Sequence, residues 1–124
     1  MLINSPPFGQ WLNEGIAHYI AHHALFLAGI MDSSQVSDFM KSAAKSTGQT
    51  DVPLQSLESN SPTWPGHIGY LAVDWLVNQS PVGIQSLANI CTLVASGNSG
   101  DDAFEQAFGI SKADFYLISD QLVD

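Results

Sequence analysis

Glu14, His18 and His22 recur at four-residue spacing and form the only polar stripe of the first predicted helix. Two imidazoles spaced i, i+4 on one helix face can bind a single metal ion, and a carboxylate one turn earlier could add a third ligand. Three ligands from consecutive turns of one straight helix span about 12 Å along its axis, so they cannot all reach one ion. His18 and His22 are therefore candidate ligands of a two-residue metal site, and half-buried, hydrogen-bonded histidines are the alternative.

The helix that carries this stripe is predicted from Gln10 to Ile30, a stretch free of proline. Its apolar residues occupy nearly the whole circumference, which is typical of a helix in the middle of a domain. Further helices are predicted over 34–46 with a serine cap, over 66–79, 80–95 and 101–109, and from 111 onward, with a short helical turn around 54–57. No segment alternates with period two for long enough to be a strand. The sequence therefore predicts one all-α domain over residues 1–124, an irregular bundle of six or seven helices around a central apolar N-terminal helix.

The composition limits the kinds of partner. The 124 residues include three lysines, no arginine and twelve acidic residues, which gives a net charge of −9 at pH 7. Because nucleic-acid binding requires clustered basic side chains, this balance excludes it, and it also disfavours anionic membranes. No stretch approaches the roughly 20 apolar residues of a membrane span, so we expect neither a nucleic-acid nor a membrane partner. The single cysteine, Cys91, excludes an internal disulfide and a cysteine-cluster metal site.

The first helix also contains the most informative string of the chain, Trp-Leu-Asn-Glu-Gly-Ile-Ala-His-Tyr over residues 11–19. It resembles the Trp-Leu-Asn-Glu-Gly-x-Ala-x-Tyr segment of the gluzincin zinc metallopeptidases, that is, the aminopeptidase N-like enzymes and their bacterial relatives. The resemblance implies that Glu14 is the third zinc ligand. In that family the other two ligands are the histidines of a His-Glu-x-x-His helix, which also carries the general base. Three protein ligands leave the fourth zinc position for a water molecule, whose pKa the metal lowers.

The resemblance continues downstream, so that it covers residues 8–24 and 66–122. Ile68-Gly69-Tyr70 is similar to the family segment whose tyrosine stabilises the oxyanion of the tetrahedral intermediate, which implies that role for Tyr70. The residues directly after Tyr70 depart from the aminopeptidase pattern. The stretch that ends at Gly109, followed by Phe115, resembles the closing helices of bacterial gluzincin-like domains, and we interpret those residues as packing.

The chain has no His-Glu-x-x-His. In the family spacing, the last histidine of that motif would lie roughly five residues before Met1. We therefore expect this chain to be the C-terminal helical half of a longer gluzincin-type peptidase, inactive alone, with zinc bound and peptide cleaved by the complete parent. Its partner would then be the missing catalytic segment, and the isolated chain would not bind zinc tightly. The alternative is a non-catalytic helical interaction module that kept this scaffold and that self-associates, as a homo-oligomer, or binds a protein partner.

Two further residues are candidates for a cleft beside Tyr70. Trp64, between two prolines, is either a core-edge residue or part of a substrate groove. His67, one turn before Tyr70, either points toward the same cleft or is an ordinary residue at the start of its helix. No serine lies in a Gly-x-Ser-x-Gly elbow, so serine-hydrolase chemistry has no support in the sequence.

Overall fold

The computed structural model describes residues 8–59 and 62–124, and every regular element in this part of the chain is helical. The prediction of an all-α fold is thereby confirmed. None of these helices is long and apolar enough to cross a membrane. In chain order the elements are α1 (Gln10–Leu27), α2 (Ser33–Ser46), a 3-10 turn (Leu54–Leu57), α3 (Gly66–Gln79), α4 (Gln85–Ala95), α5 (Gly100–Phe108), α6 (Lys112–Ile118) and a second 3-10 turn (Ser119–Gln121).

Local capping signals set several of these boundaries. The Ser99 and Ser111 hydroxyls accept hydrogen bonds from the backbone N–H groups of Asp102 and Asp114, at 3.2 and 3.1 Å. Each serine therefore satisfies one of the free N–H groups at the start of its helix. At the other end of α5, Gly109 adopts φ +76°, the left-handed conformation that glycine accepts without strain at a helix end.

Three boundaries differ from the sequence prediction. α1 ends at Leu27 rather than at Ile30, because Gly29 adopts φ +73° and turns the chain away from the helix axis. α2 is capped by Asp32 rather than by a serine, since the Asp32 carboxylate accepts a hydrogen bond from the backbone N–H of Ser34 at 2.8 Å. α4 begins at Gln85, five residues after the predicted start, because the chain first makes an irregular turn.

α3 is the most completely buried helix of the described chain. Nine of its fourteen residues are buried, and it packs against both α1 and α2. The buried residues of α1 all lie between Trp11 and Tyr19, and Leu27 at its end is 78% exposed. The prediction of a central N-terminal helix is therefore not confirmed. A helix with apolar residues around its whole circumference needs to be buried, but the sequence does not say which other helices pack against it.

α1 and α3 cross at a pair of glycines. A methyl group added at Gly15 would lie 2.6 Å from the carbonyl carbon of Gly69, and one added at Gly69 would lie 2.5 Å from the carbonyl oxygen of Trp11. Both distances are far below van der Waals contact, and the obstructing atoms belong to the backbone. The two helix axes therefore approach as closely as they do because neither glycine carries a side chain.

Trp11 joins the first turn of α1 to the carboxyl-terminal helices. Its fully buried indole ring lies 5.7 Å from the Phe115 ring and 6.5 Å from the Phe104 ring. The indole Nε1–H donates a hydrogen bond of 3.0 Å to the Tyr116 hydroxyl, so its one polar atom is satisfied. This contact fixes the first turns of α1 against α5 and α6.

Lys112, at the start of α6, ties together three segments of the chain. Its ammonium group lies 2.9 Å from the Glu58 carboxylate and 3.1 Å from that of Asp101 in α5. It also lies 5.9 Å from the centre of the Phe104 ring, within the range of a cation–π contact. Because the Lys112 side chain is mostly buried, these interactions are less screened by water than those of an ordinary surface lysine.

Candidate functional site

The α1 stripe lies at the surface beside the amino-terminal half of α3. The Glu14 Oε2 and His18 Nε2 atoms are 3.8 Å apart, and their side chains are 38% and 34% exposed. This is ion-pair distance whenever the imidazole is protonated, and it is accessible to solvent. The first two residues of the stripe therefore form a carboxylate–imidazole pair, one helical turn apart.

His22 is oriented by the helix itself. Its Nδ1 lies 2.8 Å from the His18 carbonyl oxygen, and because that oxygen can only accept, Nδ1 carries the hydrogen. In the neutral imidazole, Nε2 is then the atom with a free lone pair. The ring packs edge-on against Tyr70, with 5.3 Å between the ring centres, so half-buried, hydrogen-bonded packing describes His22 well.

Zinc provides a geometric test of the stripe. Two ligand atoms bound to a tetrahedral zinc ion lie about 3.4 Å apart, so Glu14 and His18 approach the required separation. Two imidazoles on one zinc ion place their ring centres about 5 Å apart, whereas those of His18 and His22 are 6.4 Å apart. No group of three His, Cys, Asp or Glu side chains that could hold a metal ion occurs among the residues described. Of the three stripe residues, Glu14 and His18 lie within ion-pair distance of each other. The roles of Glu14, His18 and His22 as metal ligands stay predictions.

Tyr70 lies in the interface between α3 and α1, with only 1% of its surface exposed. Its ring lies 5.8 Å from that of Tyr19 and contacts His22, which is eight residues from Glu14, or about 12 Å along the axis of α1. Burial, with smaller contributions from Asp74 and Tyr19, raises the pKa of Tyr70. The phenol is therefore a neutral hydrogen-bond donor at physiological pH, but it lies inside the helix interface.

Asp74 follows Tyr70 by one helical turn and accepts a hydrogen bond from the Asn78 side chain at 3.2 Å. Burial raises the pKa of the Asp74 carboxyl, while that hydrogen bond and the charge of Lys41 lower it, with a net increase. The carboxylate lies close enough to Tyr19 and Tyr70 to raise the pKa of both phenols. Asp74 is thus a half-buried carboxyl close to the phenols of α1 and α3.

His67 and Gln49 form a buried polar contact at the start of α3. The Gln49 Oε1 accepts the backbone N–H of Ile68 at 2.9 Å, so this side chain caps α3 from a distant loop. Its Nε2 then donates to His67 Nδ1 at 2.9 Å and to the Thr47 hydroxyl at 2.7 Å. Burial, with a smaller contribution from His18, lowers the pKa of His67. The sequence contains no signal for this role of Gln49, because a glutamine in a polar loop is usually solvated.

Trp64 connects the two histidines that come from different helices. Its ring meets that of His18 edge-on at 5.4 Å and that of His67 at 5.2 Å. The ring also covers Gly66, where an added methyl group would collide with it. Nearly half of the Trp64 side chain remains exposed. The structure therefore brings His18, His67 and Trp64 together. The sequence associates His67 and Trp64 only with a cleft beside Tyr70, not with His18.

The described residues thus combine an accessible carboxylate–imidazole pair, a buried phenol and an aromatic side chain that bridges two histidines. The family resemblance associates Glu14 and Tyr70 with one reaction. Glu14 lies on α1, whereas Tyr70 lies on α3 and contacts α1 at His22, two turns beyond Glu14. Their roles as zinc ligand and oxyanion donor stay predictions. Comparisons with protein-family models, with curated proteins and with solved structures find no match to this chain.

Proposed function

We propose that the chain is the C-terminal helical part of a gluzincin-type zinc metallopeptidase. In this proposal Glu14 is the third zinc ligand, Tyr70 stabilises the oxyanion formed during peptide hydrolysis, and a His-Glu-x-x-His segment of the complete protein supplies the other ligands and the general base. The observation that carries the proposal is the placement of Glu14. It is the only acidic residue of α1, and its carboxylate is accessible in the part of the helix that carries all of its buried residues, from Trp11 to Tyr19.

The packing around Glu14 supports a ligand role because a metal ligand has to be held in a fixed position. Trp11 and Leu12, just before it, are buried, and Gly15, just after it, lies in the close crossing with α3. The backbone at residue 14 is therefore fixed on both sides, while the side chain points to solvent. The His18 Nε2 atom lies 3.8 Å from Glu14 Oε2, close enough to form an ion pair with the carboxylate when the imidazole is protonated.

Tyrosine is neutral at physiological pH, and burial raises the pKa of Tyr70 further, so the phenol can give a hydrogen bond to developing negative charge. Its hydroxyl donates and is not required to ionise. The burial of the ring means that this role requires the Tyr70 hydroxyl to become accessible to the substrate when the complete protein is assembled.

The proposal is tested on the complete translation product of the gene. Zinc content by mass spectrometry and hydrolysis of a peptide substrate are measured for the wild type, Glu14→Gln and Glu105→Gln. The last variant is a matched control, because Glu105 is an exposed glutamate on α5. We expect one zinc per chain in the wild type and the control, and clearly less than one zinc per chain in Glu14→Gln, because this variant lacks the carboxylate ligand. Equal zinc content in all three proteins, or no zinc in the wild type, would overturn the proposal.

Tyr70→Phe separates the two roles. This variant should retain its zinc and its KM, while kcat falls by about 100–1,000-fold, the usual cost of removing one oxyanion donor. An unchanged kcat would show that Tyr70 only packs against α1.

The isolated 124-residue chain gives an independent measurement. Titration calorimetry should show zinc binding no tighter than high micromolar, because the described residues hold only a two-ligand pair. Submicromolar binding that is lost in both Glu14→Ala and His18→Ala would instead identify the α1 stripe as a metal site in its own right, and it would contradict the assignment of Glu14 to an incomplete site.

A further inference from the structure

Gln49 links the end of α2 to the start of α3. Its backbone N–H donates a hydrogen bond of 2.9 Å to the Ala44 carbonyl in the last turn of α2, while its side chain accepts the Ile68 N–H in the first turn of α3. Gln49 is almost fully buried, with 2% of its surface exposed. One residue therefore couples two helices through hydrogen bonds that are shielded from water.

The neighbours of the Gln49 amide determine which of its atoms faces His67. The Thr47 hydroxyl donates its hydrogen to the Ala43 carbonyl at 2.7 Å, so toward Gln49 it acts as the acceptor of Nε2–H. The Ile68 N–H, in turn, requires the Oε1 acceptor. Nε2 therefore also faces His67, and the Nδ1 atom 2.9 Å away has to be an acceptor, which places the hydrogen of the neutral ring on its other nitrogen.

Protonation of His67 removes this acceptor. Both nitrogens of an imidazolium ring carry hydrogens, so turning the ring does not restore a lone pair toward Gln49. Turning the amide does not help either, because it would bring Nε2 against the Ile68 N–H, one donor against another. The neutral ring is therefore compatible with the hydrogen bonds of Gln49, and the charged ring is not.

The surroundings of His67 oppose a positive charge on its ring. Burial lowers the pKa of His67, and His18 of α1, the titratable group that acts on it, lowers it further. Phe39 of α2 and Trp64 contact the ring with uncharged side chains, at 6.0 and 5.2 Å between ring centres. The positive end of the α3 dipole adds to this effect, because His67 is the second residue of that helix. The charged ring is therefore more stable when it is released to water.

We propose that His67 is a pH-sensitive switch, whose protonation releases the Gln49 side chain and uncouples the end of α2 from the start of α3. The rest of α3 stays packed against α1 and α2, so the change is local. The switch does not depend on the proposed peptidase role, since neither Glu14 nor Tyr70 takes part in it.

The release acts on a groove next to the start of α3. This groove has a volume of about 580 Å³, and both Gln49 and Ile68 line it. Residues 50–54, which follow Gln49 directly, and Tyr116 of α6 line it as well. Because Gln49 holds this loop against α3, protonation of His67 changes the shape of the groove.

NMR titration of the isotope-labelled 124-residue chain between about pH 8 and about pH 5 tests this proposal. We expect the His67 ring, the Gln49 side-chain amide and the Ile68 backbone N–H to change chemical shift with one common midpoint below 6.5. The side-chain amide of Gln85, exposed on α4, should stay constant. At the acidic end, the Gln49 amide hydrogens should exchange with water at least about tenfold faster relative to those of Gln85. A His67 ring that titrates without any change at Gln49, or that stays neutral over the whole range, would overturn the proposal.

Gln49→Glu reverses the sign of the expected effect. One carboxylate oxygen can accept the Ile68 N–H and the other a hydrogen bond from protonated His67, so the charged ring becomes the form that fits. We expect the midpoint of the His67 titration to rise by at least about one pH unit, to above 6.5. The matched control Gln55→Glu adds the same charge at an exposed position of the same loop and should shift the midpoint much less. Equal shifts in the two variants, or a lower midpoint in Gln49→Glu, would show that Gln49 does not control the protonation of His67, and the switch would be refuted.

Discussion

The crossing of α1 and α3 makes Gly15→Ala a sharp test of the fold. In an exposed helix this substitution stabilises a protein by about 1 kcal/mol, because alanine is the better helix former. Here the new methyl group would lie 2.6 Å from the Gly69 carbonyl carbon and 2.8 Å from a methyl carbon of Val73. The carbonyl belongs to a buried helix and cannot rotate away, so the two helices have to separate.

Overpacking of this kind costs about 1–3 kcal/mol, and a backbone obstacle puts Gly15→Ala at the upper end of that range. After the gain in helix propensity, we expect a net loss of about 2 kcal/mol in the free energy of unfolding. For a domain of this size that corresponds to a decrease of roughly 6–12 °C in Tm. Stabilities of single domains are about 5–15 kcal/mol, so the variant should still fold.

Urea denaturation followed by circular dichroism measures the effect, with Ala21→Gly as control. Ala21 is exposed on the same helix, so its replacement reports the propensity difference alone, about 1 kcal/mol. Gly69→Ala should be destabilising as well, and the double variant should lose less than the two single losses combined, since both methyl groups open the same gap. A Gly15→Ala variant as stable as the wild type, or more stable, would refute the close crossing.

Three further predictions concern buried polar contacts. Gln49→Ala leaves the buried N–H of Ile68 and an imidazole nitrogen of His67 without their partner, so we expect the free energy of unfolding in urea to fall by about 2 kcal/mol. The control Gln55→Ala, at an exposed position, should cost less than about 0.5 kcal/mol. Equal losses would contradict the role of Gln49 as a cap. Folding lowers the pKa of His67 from 6.5, so the unfolded chain binds the proton more readily and the free energy of unfolding decreases as the pH drops below that value. His67→Gln should make the free energy of unfolding less dependent on pH between about pH 7 and about pH 5. An unchanged pH dependence would refute the lowered pKa of His67. Lys112→Met removes two ion pairs and should lower the free energy of unfolding by about 1 kcal/mol, and by less at high salt. The control Lys45→Met, at an exposed position, should leave the free energy of unfolding almost unchanged. Identical thermal unfolding of the two variants would show that the ion pairs do not stabilise the fold.

The sequence predicts the helices well because their signals are local. The serine at 111 caps α6, Gly109 ends α5, and the short turn at Leu54–Leu57 and the bounds of α3 lie where the pattern predicts them. Each of these depends on a few adjacent residues, whose backbone preferences act in the same way in any fold. The start of α4 differs because Gly83 adopts φ +59° and continues the turn beyond the proline at residue 81.

The same distinction between local and distant contacts applies to the candidate site. The spacing of Glu14, His18 and His22 places them on one face of α1, and the structure confirms that Glu14 and His18 are neighbours. The role of Gln49 as a cap for α3 and the position of Trp64 between two histidines could not be predicted, because each depends on residues that are distant in sequence or on different elements.

What the sequence alone determines is therefore the helical class, most of the helix boundaries, the negative charge and the polar stripe of α1. All of these follow from nearest neighbours and from periodicity. Only the tertiary structure decides that α3 is the most buried helix, that Gly15 and Gly69 meet, and that the apolar end of α1 remains uncovered. The physical reason is that an apolar side chain specifies that it needs cover, while the partner that provides it depends on how all the helices pack together.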